Sequence, residues 1–150
     1  MAQIFHQKDL SLKNRNSPIP EFFWQTSENL AEISKSKHLK FDVRSLDAGK
    51  YSFPYHYRRN AEEIFAILSG QAMLRTPSGF EEVSTGDIVF FETGECGAHQ
   101  LYCQRDEPCR YLDICTAAEI DVCVYPDSGK INILPFMEVY QSADRTSYYQ

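Results

Sequence analysis

A chain of 150 residues, 43% hydrophobic, 13% aromatic and 24% charged, is the size of one ordinary domain and can bury a core without disulfides. Its formal net charge of -6, with no basic cluster longer than Arg58-Arg59 and with Glu62 and Glu63 close behind it, argues against a phosphate-reading surface and so against a nucleic-acid partner. No apolar run approaches the ~20 residues of a membrane span, and residues 1–8 lack the apolar centre of a signal peptide, so a cytoplasmic protein with no membrane association is expected.

Taken in chain order, residues 1–38 read as an N-terminal arm. Pro18-Ile19-Pro20 and Phe22-Phe23-Trp24 give it more apolar bulk than a lone segment can hide, so it should pack on the remainder of the chain or on a second subunit. Its one helix candidate is 26–34, with Thr26 or Ser27 as N-cap. From Leu39 onward short strands alternate with turn residues. Phe41, Val43 and Ser45 alternate with Asp42 and Arg44, the period-2 pattern of a half-buried strand. Further strands are expected at 64–68, 72–75, 80–83, 88–91, 98–103, 109–116, 122–125 and 131–134. Ser69-Gly70, Pro77-Ser78-Gly79, Thr85-Gly86-Asp87 and Asp106-Glu107-Pro108 punctuate them. Strands at intervals of roughly ten residues, with no helical period between them, predict an all-β fold: a small antiparallel sandwich or barrel over 39–134, as a single domain. Residues 135–150 form a tail, polar from Ser142 onward. The five cysteines (Cys96, Cys103, Cys109, Cys115, Cys123) are odd in number and lack a Cys-x-x-Cys pair, which predicts reduced and mostly buried thiols.

Chemistry concentrates in two segments. In the first, His56-Tyr57-Arg58 precedes Glu62-Glu63 and the apolar run 64–68. Residues two apart on a strand share a face and lie about 6.6 Å apart, so His56 and Arg58 point the same way. Glu63 shares its parity with Phe65 and Ile67 and should project into the interior, where a carboxylate is costly unless paired or bound to a cation. In the second segment, 86–99, His99 shares its parity with Leu101 and Cys103 and also faces inward. Cys103 lies about 13 Å from His99 along an extended strand, too far to serve one ion with it.

These segments resemble the two motifs of the cupin superfamily, small β-barrels that often hold a divalent metal. The first motif reads Gly49, His56-Tyr57-Arg58, Glu63 and Gly70 here; the second reads Gly86, Glu92-Thr93-Gly94, His99 and Cys103. The resemblance covers roughly 41–125 and implies a double-stranded β-helix, or jelly roll, often as a homodimer. It also implies that His56, Glu63 and His99 are metal ligands. Three positions depart from the pattern: Arg58 for the second His, Glu92 for a Pro, and Cys103 for an Asn. Of these, Arg58 touches the expected metal shell directly, because a guanidinium cannot ligate a cation.

Two readings of the site follow. His56, Glu63 and His99 can hold zinc, iron, nickel or manganese with positions left open. Alternatively Arg58 pairs with Glu63 and puts positive charge where the cation would sit. Candidate ligand-binding side chains are His56, Arg58 and Tyr102. The functions these residues allow are a binder of a small polar or anionic, sugar-like metabolite, a metal-dependent isomerase or oxygenase, or a non-catalytic structural or sensory homodimer.

Overall fold

The computed structural model describes residues 1–149 and arranges them almost entirely as short strands. The first two, β1 (Lys13–Asn16) and β2 (Phe23–Thr26), precede a single helical turn, α1 (Leu30–Ile33). Then come β3 (Leu39–Leu46), β4 (Tyr57–Arg58), β5 (Glu63–Ser69), β6 (Gln71–Thr76), β7 (Gly79–Ser84) and β8 (Ile88–Phe91). The remaining strands are β9 (Gln100–Tyr102), β10 (Cys109–Thr116), β11 (Asp121–Tyr125), β12 (Lys130–Leu134) and β13 (Glu138–Gln141).

Three antiparallel sheets result: β1-β2-β3-β10-β5-β8, β13-β12-β11-β4 and β7-β6-β9. An isolated bridge between His56 and His99 joins the second sheet to the third. The two together make one wall of a jelly-roll barrel, and the six-stranded sheet makes the other. Period-2 burial identifies the inner face. On β5, Glu63, Phe65 and Ile67 are buried; on β10, Cys109, Tyr111, Asp113 and Cys115 are buried, while their neighbours are half-buried. One end of the barrel is apolar, filled by Leu46, Ile67, Leu74, Leu101, Cys103 and Cys109. Each of the leucines and Ile67 stabilises the fold by about 1.5–3 kcal/mol on burial. The other end carries the polar residues.

The arm packs on the barrel of its own chain. β2 pairs with β3 in register Trp24↔Leu46, and the Trp24 ring lies 4.4 Å from Phe53. The helix is shorter than 26–34 and is capped differently. Asn29 Oδ1 accepts the Glu32 N–H at 3.2 Å, whereas Thr26 ends β2 and the Ser27 hydroxyl accepts the Val43 N–H at 3.1 Å. Sheet pairing claims those two residues before the helix can. In the C-terminal segment, 138–141 adds β13 as an edge strand beside β12. The five cysteines are unpaired, four of them buried and Cys96 exposed. Among the described residues no helix is long and apolar enough to cross a membrane.

Candidate metal centre

Three strands and one bridge bring the buried side chains of His56, Glu63 and His99 together, with ligand-type atoms all within 4.8 Å of one another. His56 immediately precedes β4 and His99 immediately precedes β9; their backbones exchange two hydrogen bonds, His56 N–H to His99 O at 3.2 Å and His99 N–H to His56 O at 2.9 Å. That bridge sets the two imidazoles side by side, ring centres 4.8 Å apart. Glu63 opens β5, where the alternation with Phe65 and Ile67 turns it inward.

Each imidazole is oriented by a backbone carbonyl. His56 Nδ1 lies 2.8 Å from Pro54 O, and His99 Nδ1 lies 2.8 Å from Gly97 O. A carbonyl only accepts, so Nδ1 carries a proton in both rings, and in the neutral imidazole Nε2 presents its lone pair. Aromatic packing then fixes the ring of His99: Phe91 stacks on it at 3.7 Å and Phe65 meets it edge-on at 5.3 Å. Gly97 is sterically required, because a Cβ there would collide with the Glu92 carbonyl.

The consequence is an acceptor facing an acceptor. His99 Nε2 stands 3.2 Å from Glu63 Oε2, and both atoms are buried without a hydrogen-bond partner. Two lone pairs at that distance repel unless a cation lies between or beside them. Burial lowers the His56 imidazole to about 4, so His56 stays neutral and available as a donor atom. Burial alone would raise the Glu63 carboxyl, and the nearby Arg58 guanidinium favours its ionised form. Two imidazoles and one carboxylate suit zinc, iron, nickel or manganese. Ligands at 2.0–2.2 Å from an ion lie about 3.0–4.2 Å apart, so the widest gap closes with a small side-chain rotation. The donor set fits a divalent transition metal.

Arg58 does not occupy that position. Its Nε donates to Asp121 Oδ2 at 2.7 Å and its Nη1 to Cys115 Sγ at 3.5 Å. The Arg58–Glu63 pair of the second reading is not formed; Arg58 pairs with Asp121 instead. Asp121 is placed for this at the start of β11, whose Cys123 pairs with Arg58, and its Oδ1 accepts the N–H groups of Asn60 and Val122 at 2.9 and 2.8 Å. Tyr102 is not brought to the cluster. It sits on the opposite face of β9 from Leu101, with its ring 4.6 Å from Tyr51.

Beside the triad is a polar cavity of about 230 Å³, lined by Arg15, Lys40, Asp42, Arg44, Arg58 and Asp113 among others. Arg44 bonds Asp42 at 2.8 Å and contacts Asp113. Asp113 is pushed well above the ordinary carboxyl range by burial and by its neighbour Glu63, against the pull of Arg44. Period-2 reading of β3 had set Phe41 and Val43 against Asp42 and Arg44, the usual signature of a polar outer face. Here the polar set lines the barrel, and Val43 is buried on the other face, where α1 packs against β3.

The cupin domain family matches residues 43–115 of this sequence, and no curated protein matches it. Two solved structures align over nearly the whole chain. A candidate sugar phosphate isomerase from Acidithiobacillus ferrooxidans has 20% identity and TM-score 0.84, covering 98% of this chain and 97% of its own. A cupin-superfamily sugar phosphate isomerase from Silicibacter pomeroyi has 15% identity and TM-score 0.82, covering 99% of each. A predicted oxalate decarboxylase from Thermotoga maritima aligns over 77% of this chain and 100% of its own, at 14% identity and TM-score 0.61. Residues 43–115 belong to the cupin domain family, and the jelly-roll barrel and the two motif segments agree with it.

Proposed function

We propose that His56, Glu63 and His99 hold a divalent transition metal, and that the barrel binds a small polar, sugar-like metabolite beside it, with isomerisation as its chemistry. The observation that carries this reading is the buried pair of bare acceptors, Glu63 Oε2 and His99 Nε2, 3.2 Å apart. The likeness over nearly full length to two proteins named as sugar phosphate isomerases supports the ligand class.

When bound, the metal would polarise a carbonyl or hydroxyl oxygen of the ligand. The chain's own residues do the remainder. His56 and His99 keep their protons on Nδ1, bonded to Pro54 O and Gly97 O, and so direct both Nε2 atoms to one point. Phe65 and Phe91 exclude water from the Glu63 side and hold the His99 ring in plane. Asp121 holds the Arg58 guanidinium, which keeps that charge off the ligand atoms.

Elemental analysis of protein purified without chelators, followed by solvent-deuterium exchange on a panel of aldose and ketose phosphates, tests both halves. Expected are near-stoichiometric metal, its loss in Glu63→Gln, and metal-dependent label incorporation. Metal that is absent from the wild type, or retained in Glu63→Gln, would overturn the metal centre; metal without exchange on any member would reduce the protein to a binder.

A further inference from the structure

We propose that the polar mouth beside the triad is a subsite for a phosphate-type dianion, with Arg15 and Lys40 as its specificity-determining cations and Arg44 as its fixed anchor. This deepens the proposed function by naming the charged end of the ligand, and it rests on that reading only for what the rest of the ligand does.

In a chain of net charge -6, this one cavity gathers four cations: Arg15, Lys40, Arg44 and Arg58. Two have carboxylate partners. Arg44 is held by Asp42 and Asp113, and Arg58 by Asp121. Arg15 and Lys40 form no ion pair among the described residues, and both side chains are exposed at the cavity. Two uncompensated cations facing one concavity attract a dianion and raise its encounter rate. Arg44, braced by two carboxyl groups and by the Phe53 ring 5.0 Å away, loses little freedom in gripping an oxyanion.

The cavity of about 230 Å³ equals roughly eight waters at about 30 Å³ each, room for an oxyanion and a few further atoms.

The sheet also places this subsite beside the metal centre. Lys40 pairs with Cys115, and Cys115 pairs with Glu63. Two strand spacings of about 4.8 Å separate the Lys40 and Glu63 backbones by about 10 Å. A ligand held at both ends is therefore a small extended metabolite, neither a lone ion nor a polymer. Arg15 comes from β1, so the arm that looks like a mere edge to the sheet completes the subsite.

Trp24, the single tryptophan and the strand partner of Arg15, provides a local optical signal. Inorganic phosphate is titrated by Trp24 fluorescence and calorimetry into wild type, Arg15→Gln/Lys40→Gln and Glu63→Gln, with acetate and chloride at equal ionic strength as controls. Expected is saturable phosphate binding to wild type, weakened at least about tenfold in the double variant, whose metal content stays at the wild-type level. Glu63→Gln is expected to lose metal and keep phosphate. Phosphate binding unchanged in the double variant, or no stronger than that of the control anions, overturns the subsite. Phosphate bound with the expected sensitivity by a wild type that carries no metal overturns the metal centre and leaves the subsite standing.

Discussion

Asp121→Asn isolates the feature on which tolerance of Arg58 depends. Asp121 is 2% exposed at its side chain and Arg58 14%, and their atoms lie 2.7 Å apart. Removing one partner of a buried pair costs about 3–5 kcal/mol. Asparagine keeps the size and one acceptor for the Asn60 and Val122 N–H groups, so about 3 kcal/mol is expected, the low end of that range. At 2–4 °C per kcal/mol, the metal-free protein should melt roughly 6–12 °C lower. The larger effect is on the ion. A released guanidinium about 8 Å from a divalent cation opposes it by about 4 kcal/mol at an effective dielectric of 20, close to three decades in affinity. Competition against a chromophoric chelator should show zinc binding at least about a hundredfold weaker in Asp121→Asn, and largely recovered in Asp121→Asn/Arg58→Met. Melting in EDTA measures the folding cost separately. Zinc affinity in Asp121→Asn within about threefold of wild type, or no recovery in the double variant, would refute the idea that Asp121 makes room for the ion.

Three further outcomes follow from the same geometry. Gly97→Ala must displace the Glu92 carbonyl and with it the turn whose Gly97 O accepts the His99 Nδ1 proton; zinc affinity should fall about 10–100-fold, as for loss of other outer-shell partners, by the same chelator competition. Phe91→Ala removes a side chain that is 4% exposed and stacked on His99 at 3.7 Å; about 3–5 kcal/mol of stability should go, seen in urea unfolding as a lower midpoint with an unchanged slope. Acid unfolding supplies the third. Burial alone would raise the Asp121 carboxyl, but Arg58 and the Asn60 and Val122 N–H groups hold it below its ordinary value. A depressed folded value means that this pair stabilises the fold fully above the unfolded carboxyl pKa of about 3.9 and loses that contribution as pH falls below it. Metal-free Asp121→Asn should lack this part of the acid limb, measured as midpoint against pH.

Period-2 patterns and turn residues made the strands from β3 to β12 legible, apart from two-residue β4, because half-buried antiparallel strands advertise both their period and their ends. The same parity put Glu63 and His99 indoors. β1, β2 and β13 carry no such signal: they are four-residue strands at or next to a sheet edge, and pairing with a neighbour rather than any pattern of their own makes them strands. The cap of α1 went to Asn29 for a related reason, since Thr26 and Ser27 were already engaged by β2 and β3.

The polar mouth escaped the pattern because alternation reports that a strand has two faces without saying which one is wet. On β3 both faces meet protein: Val43 lies on the side covered by α1, while Asp42 and Arg44 turn into the barrel. A residue-by-residue reading therefore sends Arg44 to solvent, and it leaves Arg58 with Glu63 as the nearest inward-facing carboxylate in sequence. Asp121, which lies 63 residues from Arg58, enters only when β11 pairs with β4. Seen with its partner, the arginine where related motifs carry a second histidine need not cost the site its ion. Held by Asp121, it turns from the triad toward the cavity where Arg15, Lys40 and Arg44 gather, and the fourth ligand position becomes part of the wall of an anion subsite.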